Sequence, residues 1–505
     1  MTDVLFTHSY FLKFDEKEFR SMMPYPPLGT LYAASFLQSK GYSVALFDAM
    51  LAESENELLT HLEKHQPKFL VIYDDDFNYL TKMCLERMRI AAFIMSEMGK
   101  QFGCTVIVHG SDSADHFEKY LSHGADFVIF GEGEQTLFEL LQQLETRNSQ
   151  LETINGLVFR KGTRHPELVS GTDNEMLKQV QHDEIIKTNS RQVLHQLDEL
   201  PFPTRIIVDV ERYRKIWKER HGYFSMNIVT TRGCPFHCNW CAKPIYGQVY
   251  NVRSPQNVAE EMKILKKNYS PDHLWFCDDI FGLKPNWIQE FSEIVNKVNA
   301  KIPFKCLSRA DLLVKGNTIE ALAQSGCVTT WLGAESGSQK ILDAMDKGTT
   351  VEQIYESARR LKEHNIRVGF FLQFGYTGET KEDIDKTFQM VKDCLPDEIG
   401  VSVSYPLPGT KFYDNVKEQL GEKQNWFDSQ DLAMMYHGTY SPDFYRALHK
   451  LIHKRFRIWK GMEMISSPKK WNTKSPRAIA SAMYHRATVK KFEKEMNKLN
   501  NTVGL

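Results

Sequence analysis

Long apolar runs are missing from this sequence. No stretch of about 18 apolar residues occurs, so we expect no transmembrane helix. The first residues, Met-Thr-Asp-Val-Leu-Phe-Thr-His, lack a basic region followed by an apolar stretch, and we expect no secretory signal peptide. Neither His-Glu-x-x-His nor Gly-x-Ser-x-Gly occurs. Lys347 and Gly348 stand outside any Gly-x-x-x-x-Gly-Lys-Ser/Thr pattern, and we therefore reject a nucleoside triphosphatase.

The sequence is nearly neutral, and its cysteines form no pattern of disulfide spacing. The 505 residues carry a net charge of −1, with 42% hydrophobic and 25% charged residues, as expected of a soluble globular protein with two to four domains. Six of the nine cysteines are isolated, which suits single buried thiols in a reducing, cytoplasmic compartment. These six are Cys84, Cys104, Cys277, Cys306, Cys327 and Cys394.

Three cysteines, in contrast, lie within eight residues: Cys234, Cys238 and Cys241. The run from Thr230 reads Thr-Thr-Arg-Gly-Cys-Pro-Phe-His-Cys-Asn-Trp-Cys, which gives the spacing Cys-x3-Cys-x2-Cys. Thiolates this close can share a centre only if the backbone loops around it, and iron–sulfur clusters are held by such thiolates, usually four of them. Three ligands leave one iron of a four-iron cube open to a substrate or cofactor.

Two other interpretations of this triplet stay open on spacing alone. Structural zinc normally needs four Cys or His ligands, and His237 would be the fourth, although its place beside Cys238 would strain a shared tetrahedron. Unliganded buried thiols are the other alternative. A disulfide is disfavoured because no secretory signal is seen. The spacing favours an iron–sulfur cluster over these alternatives.

The loop, with the aromatic Trp240 just before Cys241, resembles that of the radical S-adenosylmethionine (SAM) enzymes. The resemblance implies a [4Fe–4S] cluster held by Cys234, Cys238 and Cys241, with its open iron bound to the amino and carboxylate groups of SAM. One electron, from a donor such as reduced flavodoxin or ferredoxin, then cleaves SAM to methionine and a 5′-deoxyadenosyl radical. That radical abstracts a substrate hydrogen, and the cofactors carry this difficult chemistry.

The first ~145 residues alternate strand-like and helix-like segments, as a doubly wound α/β domain does. Ligands bind such sheets beyond the carboxyl ends of the strands, which draws attention to the loops 74–77, 109–113 and 131–134. The predicted helices include Gly29–Lys40 and Tyr79–Gly99. The predicted strands are Ser43–Phe47, Phe69–Tyr73, Thr105–Val108 and Phe127–Phe130.

These loops resemble the cobalamin-binding domain that precedes many radical SAM domains. Glycines at strand ends let the backbone approach a bulky planar ligand closely, although they serve equally well in tight strand-to-helix turns. No Asp-x-His-x-x-Gly occurs, so a bound cobalamin should lack a histidine from that motif. The resemblance rests on Pro26, Pro27, Leu28, Gly29, Gly110, Ser111, Gly131, Glu132, Gly133 and Glu134.

A connector follows this first domain. Gly156–Lys161 and Glu184–Thr188 are expected to form a hairpin. Between them, residues 165–183 resemble peptides encoded by mobile palindromic repeats in bacterial genomes. An exposed hairpin tip tolerates an insertion best, so we expect this segment to be solvated and functionally silent, and its His165 and His182 are no ligand candidates.

From Asn227 to about Pro406 the alternation suits a partial barrel of six β/α units. In such barrels the working residues follow the carboxyl ends of the strands, and the cysteine loop follows the first of them. The predicted strands are Asn227–Thr230, His273–Phe276, Phe304–Leu307, Thr330–Leu332, Val368–Leu372 and Ile399–Val403. We expect four parts: 1–148 cobalamin-binding-type domain, 149–205 connector, 206–410 radical SAM partial barrel and 411–505 helical region.

The resemblance also implies SAM-binding residues at the ends of these strands. Asp278 or Asp279 would serve the SAM amine, Arg309 the carboxylate through its parallel donors, and Glu335 the ribose region. Alternatives stay open: Arg309 could form a surface ion pair, and Asp278-Asp279 could cap a helix. Further SAM candidates are Trp240, Ser336 and Gln373, the last opening a loop, Gln373–Gly378, that could also be a plain turn.

After about Lys411, helix-like segments dominate. From Lys450 to Lys498 the chain has 14 Lys/Arg against 3 Glu, with Trp459, Trp471 and Tyr484 interleaved. Such a segment can bind nucleic acid or an anionic membrane surface, or it can be the solvated face of a helical cap over the barrel. We favour the cap, see no strong indication of nucleic acid, and leave peripheral membrane contact open.

Together these features predict an enzyme of radical-based C–H activation. The resemblance covers roughly residues 1–410 and is closest in style to the anaerobic magnesium-protoporphyrin monomethyl ester cyclase group, which oxidises and closes a ring. The substrate would be a small molecule or a lipid- or tetrapyrrole-like compound. One alternative is cobalamin-dependent C-methylation. Another, of a different class, is a non-catalytic cobalamin or cluster carrier.

Overall fold

The computed structural model describes residues 2–146, 150–162, 184–422, 425–429, 432, 434–466 and 475–499, so the predicted insertion 165–183 lies outside the described residues. The chain divides into two compact units. Unit 1 comprises Met1–Pro235, Lys243–Asp278 and Asn425–Asp431, and unit 2 comprises Phe236–Ala242, Asp279–Gln424 and Leu432–Leu505.

Unit 1 contains a seven-stranded sheet. Its strands are β1 (Val4–Thr7), β2 (Val44–Leu46), β3 (Phe69–Tyr73), β4 (Thr105–His109), β5 (Phe127–Ile129), β6 (Leu157–Arg160) and β7 (Ile185–Lys187), in the order β2-β1-β3-β4-β5-β6-β7. The first five are parallel, and β3 and β4 are buried along their whole length, as strands covered on both faces are. The antiparallel pair β6–β7 confirms the predicted hairpin and continues the sheet from β5.

The helices of unit 1 confirm the doubly wound pattern, with one correction. They are α1 (Glu16–Ser21), α2 (Leu28–Ser39), α3 (Glu57–His65), α4 (Tyr79–Lys82), α5 (Glu86–Gln101), α6 (Ser111–Asp115), α7 (Phe117–Ser122), α8 (Glu134–Glu145), α9 (Val210–His221) and α10 (Pro255–Asn268). The prediction of one helix over Tyr79–Gly99 is wrong. Cys84 has a left-handed backbone (φ 52°), which ends α4 and separates it from α5.

Six further parallel strands follow the order of the chain. Unit 1 adds β8 (Ser225–Ile228), the small antiparallel pair β9 (Thr231–Arg232) and β10 (Asn251–Val252), and β11 (His273–Phe276), which pairs with β8. Unit 2 has β12 (Phe304–Ser308), β13 (Cys327–Glu335), β14 (Arg367–Phe374) and β15 (Glu398–Val403), each beside the next. This strand succession, with helices between, is that of a partial β/α barrel and confirms the predicted strands.

Unit 2 places its helices between and after these strands. They are α11 (Trp287–Lys297), α12 (Ala310–Leu313), α13 (Thr318–Ser325), α14 (Gln339–Ala344), α15 (Val351–Glu363), α16 (Lys381–Cys394), α17 (Lys411–Val416), α18 (Pro442–Ser466) and α19 (Ser475–Leu499). The last three confirm the helical carboxyl-terminal region, where α18 packs on α16 and β15 and a Cβ on Gly461 would overlap Ala482 of α19. None of the helices within the described residues has the length and apolarity needed to cross a membrane.

Candidate functional site

The cysteine loop begins at a glycine that its backbone requires. Gly233 has a φ of 80°, and a Cβ there would overlap the Val249 carbonyl oxygen, so only glycine allows this turn into Cys234. Cys234 is buried, whereas Cys238 and Cys241 are half-buried, and none of the three is in a disulfide. The Cys241 amide donates to the Cys238 carbonyl (3.2 Å), which closes a turn between them.

His237 is the candidate for a fourth zinc ligand within the cysteine loop. Structural zinc normally takes four Cys or His ligands, and the His237 side chain is exposed. The position of this side chain favours the cluster over structural zinc. Among the described residues, no three His, Cys, Asp or Glu side chains are grouped to hold one metal ion.

Arg309 lies against the cysteine loop within unit 2. Its guanidinium stacks on the Phe236 ring, 3.6 Å from the centroid, and Nη1 is 3.9 Å from the Cys238 sulfur. Nε donates to Asp311 (2.9 Å), and Nη2 donates to the Lys347 carbonyl (2.8 Å). Arg309 is 3% exposed, so it is not the surface ion pair that was the alternative. These contacts favour a role of Arg309 in fixing Cys238, in addition to its predicted role toward the SAM carboxylate.

A buried ion pair joins Glu335 to Lys347. The two side chains are separated by 2.8 Å (Nζ to Oε1), and both are buried. Burial lowers the pKa of Lys347, but Glu335 and the nearby Cys238 outweigh it, and the net pKa is raised. Glu335 ends β13 at an irregular register with a left-handed backbone (φ 55°), a conformation that costs energy outside glycine and tends to mark functional sites.

Asp278 is the buried member of the predicted acidic pair. Its Oδ1 accepts from the amides of Thr230 and Thr231 (2.8 and 2.6 Å) and from the Thr231 hydroxyl (2.7 Å). Its Oδ2 is buried with no hydrogen-bond partner, and burial raises the pKa of Asp278 to about 6 against those bonds. Asp279 is exposed, and the helix-cap alternative is wrong because α11 starts at Trp287 after Asn286. An open, buried acceptor fits an ammonium donor.

The remaining SAM candidates differ in what they offer. Trp240 packs on an apolar cluster with a buried, unpartnered Nε1, whereas Gln373 donates to the Ser404 hydroxyl (3.0 Å). The Ser336 hydroxyl is already engaged by Thr387 (3.2 Å) and by the Ser338 amide (3.1 Å). Ser336 therefore serves packing in this structure, and Trp240 keeps a free donor.

At the carboxyl edge of the unit 1 sheet, the predicted glycines lie against protein atoms. The Gly29 amide donates to Asp75 (2.8 Å), and a Cβ on Gly110 would lie 2.9 Å from the Asp74 carboxylate. A Cβ on Gly133 would meet the Tyr73 hydroxyl at 2.7 Å. Leu28 is fully buried, and Gly131 has a left-handed backbone (φ 71°). Close protein packing is thus sufficient to explain Gly29, Gly110 and Gly133.

Glu132 and Glu134 are occupied by a protein cation. Arg232, two residues before Cys234, pairs with Glu132 through Nη1 and with Glu134 through Nη2 (2.6 Å), and all three side chains are buried. Its guanidinium also lies over the rings of Tyr246 and Tyr32, 5.1 and 5.5 Å from their centroids. These two glutamates therefore hold the start of the cysteine loop rather than face a ligand.

Other polar atoms at this edge are open. Asp76 Oδ1, His109 Nδ1 and Ser111 Oγ are buried and have no hydrogen-bond partner. His109 stacks on Tyr73, and its Nε2 bonds to the Gly131 carbonyl (2.9 Å), while burial lowers its pKa to about 4. Because buried polar groups normally find partners, these atoms fit a ligand that brings both donors and acceptors, such as the carboxamides around a corrin ring.

Sequence reasoning missed three residues here. Lys347 was considered only as part of a phosphate loop, and its partner Glu335 is separated from it by α14. Arg232 lies just before the cysteine motif, and Asn239 lies inside it at a position that carries no ligand. The charge of Arg232 next to the motif was a usable signal, but Asn239 offered none.

Comparison with known proteins agrees with this geometry. Residues 228–391 match the sequence family described as the Radical SAM superfamily. An uncharacterised methyltransferase of Pyrococcus horikoshii is 24% identical over 79% of this chain and 81% of its own length. The anaerobic magnesium-protoporphyrin IX monomethyl ester cyclase of Rubrivivax gelatinosus is 23% identical over 80% of this chain and 68% of its own.

A solved structure shares the fold over nearly the whole chain. The cobalamin-dependent SAM radical enzyme OxsB, with aqua-cobalamin and SAM bound, superposes with a TM-score of 0.68. The two chains are 18% identical, and the match covers 97% of this chain and 72% of OxsB. The chain therefore shares the fold of OxsB.

Proposed function

We propose that the chain is a radical SAM enzyme that cleaves SAM at a [4Fe–4S] cluster held by Cys234, Cys238 and Cys241 to abstract hydrogen from an organic small molecule. Cluster and SAM together supply a 5′-deoxyadenosyl radical when both are bound. The observation that carries the proposal is the Cys-x3-Cys-x2-Cys loop inside the family match, with buried charged side chains beside it.

The chain's own residues have separate tasks in this proposal. Asp278 offers its open Oδ2 to the SAM amine, and the paired Lys347 and Glu335 offer a cation and an anion to the carboxylate and ribose. Arg309 keeps Cys238 in place. Trp240 presents an unpartnered ring N–H beside Cys241. Each of these groups is buried or half-buried, which strengthens its own electrostatic interactions.

We propose cobalamin as the second cofactor, with Asp76, His109 and Ser111 contacting its carboxamides. The outcome we propose first is oxidative cyclisation or a related C–H functionalisation of a lipid- or tetrapyrrole-like substrate. The cyclase from Rubrivivax gelatinosus supports it. C-methylation is the second candidate, and the methyltransferase from Pyrococcus horikoshii supports that one.

The setting of this activity is also a proposal. None of the nine cysteines, all within the described residues, is in a disulfide, which suits a reducing, cytoplasmic environment with reduced flavodoxin or ferredoxin as electron donor. The four proposed parts of the chain are residues 1–148, 149–205, 206–410 and 411–505. The basic carboxyl-terminal helices leave peripheral membrane contact open.

Anaerobic reconstitution with iron, sulfide and cobalamin, followed by mass spectrometry of the products from SAM, tests the proposal. We expect 5′-deoxyadenosine from the parent chain and none from Cys238→Ala. Detection of S-adenosylhomocysteine as a second product would identify methyl transfer, whereas 5′-deoxyadenosine alone would support oxidation or rearrangement. Bound chromophores without either product would instead indicate a carrier.

A further inference from the structure

Asn239 lies between two of the cluster cysteines and bonds to three separate elements of unit 2. Its amide donates to the Met345 carbonyl (3.1 Å), and its carbonyl accepts from the Phe412 amide (3.0 Å). Its side-chain Nδ2 donates to the Ala344 carbonyl (2.7 Å), and its Oδ1 accepts from the Tyr376 hydroxyl (2.9 Å). The partners lie at the end of α14, in the loop after β14 and in α17.

The surroundings of Asn239 are well packed. Tyr376 stacks on Phe412 with ring centroids 5.0 Å apart, and Phe412 meets Tyr436 edge-on at 5.1 Å. The next residue in the loop, Trp240, packs against this same apolar cluster. The segment from Cys238 to Cys241 is therefore held within unit 2 by the hydrogen bonds of Asn239 and the packing of Trp240.

We propose that Asn239 is a positioning residue that holds Cys238 and Cys241 at a fixed separation and ties them to the Gln373–Gly378 loop. The inference rests on the proposed function, because it concerns the cluster that these cysteines would bind. Tyr376 belongs to that loop, so one side chain links the ligands of the cluster to a loop that the sequence predicts as a candidate SAM contact.

The amide of asparagine is the group that this position requires. It donates to Ala344 and accepts from Tyr376 at the same time, which neither a carboxylate nor a hydroxyl can do with this geometry. Aspartate would keep the size but would place a carboxylate oxygen against the Ala344 carbonyl. Replacing a residue that hydrogen-bonds to or orients metal ligands typically changes metal affinity 10–100-fold.

The test compares Asn239→Asp with Asn296→Asp. Asn296 in α11 also donates from Nδ2 to two carbonyls, those of Ser292 (2.7 Å) and Gln324 (3.2 Å). Asn296→Asp therefore removes the same side-chain donor away from the cysteine loop and serves as the control. Iron release from the reconstituted full chain to a chelator and the electron paramagnetic resonance (EPR) spectrum of the reduced cluster, with and without SAM, are measured. We expect iron release to be ~10-fold faster and the spectrum altered in Asn239→Asp, with Asn296→Asp like the parent.

Unchanged iron release and an unchanged spectrum in Asn239→Asp would overturn the proposal, as would equal changes in Asn296→Asp. If Asn239→Asp does not fold, Tyr376→Phe carries the test, since it removes the hydroxyl that meets Asn239 Oδ1 (2.9 Å) and the Ala344 carbonyl (3.0 Å). It should give a smaller change of the same kind, and no change would again contradict the proposal. A parent chain that binds no cluster at all rejects the proposed function instead, and this inference with it.

Discussion

Two regions of the molecule carried the functional predictions, and their side chains turn out to be used differently. At the carboxyl edge of the unit 1 sheet, the predicted glycines and glutamates contact protein atoms: Gly29 meets Asp75, and Glu132 and Glu134 meet Arg232. In unit 2, the predicted Arg309 and Glu335 lie in one connected group with Cys238, through Lys347.

The difference shows what each type of motif can predict. A cysteine triplet has few uses other than metal binding, so its neighbours on the same strand ends are good candidates for a cofactor site. A glycine is required wherever any atom comes close, and at the unit 1 edge that atom belongs to the protein itself. The open acceptors there are on Asp76, His109 and Ser111, and only the last was predicted.

The largest expected effect is at the cysteine loop. Cys238→Ala should abolish the ~400 nm cluster absorbance of the reconstituted protein, because a cube with two protein ligands is not retained. The buried thiol Cys394, outside the loop, gives the control Cys394→Ala, which should keep the full absorbance. Equal absorbance in both variants would mean that Cys238 is no more a cluster ligand than the isolated Cys394.

The next effect concerns the buried pair of Glu335 and Lys347. Lys347→Met leaves Glu335 buried without its cation, and we expect a loss of about 3–5 kcal/mol in the free energy of unfolding. Urea unfolding of the apo protein measures it. The exposed pair of Arg359 and Glu356 supplies the control, since Arg359→Met should cost far less than Lys347→Met because water solvates both groups of the exposed pair. Similar losses in both variants would mean that the pair is not buried in solution.

A pH-dependent effect is expected in the loop after β14. The fully buried Glu379 accepts from the Gly375 amide (2.7 Å), and burial raises its pKa to about 8 from 4.5. Between pH 4.5 and about 8, Glu379 is protonated in the native chain and ionised in the unfolded chain. The free energy of unfolding therefore falls as pH rises through that window. The slope is about 1.4 kcal/mol per pH unit at most.

Glu379→Gln should remove this component, and urea unfolding from pH 5 to 8 measures it. The variant should gain stability relative to the parent as pH rises and should be the more stable of the two at pH 8. Parallel pH profiles for the variant and the parent would contradict the assignment of a proton to Glu379.

The smallest effect would sharpen the comparison at the unit 1 edge. Asp76→Asn should weaken cobalamin binding by about fivefold, the equivalent of roughly one hydrogen bond. Glu132→Gln should leave cobalamin affinity unchanged and lower stability instead, because Glu132 faces Arg232. Spectroscopic titration with cobalamin measures both, and the reverse ranking would show that the glutamates are the ligand contacts.

The sequence was sufficient for the architecture because periodicity and strand-end positions are local properties. The predicted barrel strands lie within about three residues of those observed at every end, and the largest difference is at β13, which spans Cys327–Glu335 rather than Thr330–Leu332. The break at Cys84 could not be predicted, since it depends on a single left-handed residue in a helix-like pattern.

The site was only partly predictable for a related reason. Whether a buried carboxylate is free depends on partners distant in sequence: Glu132 meets Arg232, 100 residues away, while one oxygen of Asp278 stays open. Lys347 and Asn239 form their contacts through tertiary packing that no local pattern reports. Residue type and spacing predicted which side chains could bind; tertiary structure decides which are still available.

Metal analysis with EPR spectroscopy of the anaerobically purified, reconstituted chain tests the central claim most directly. We predict about four irons and four sulfides per chain, and a reduced-cluster signal that changes when SAM is added, because one iron lacks a protein ligand. Zinc in place of iron, or a signal that ignores SAM, would contradict the assignment of Cys234, Cys238 and Cys241 as a three-thiolate cluster site.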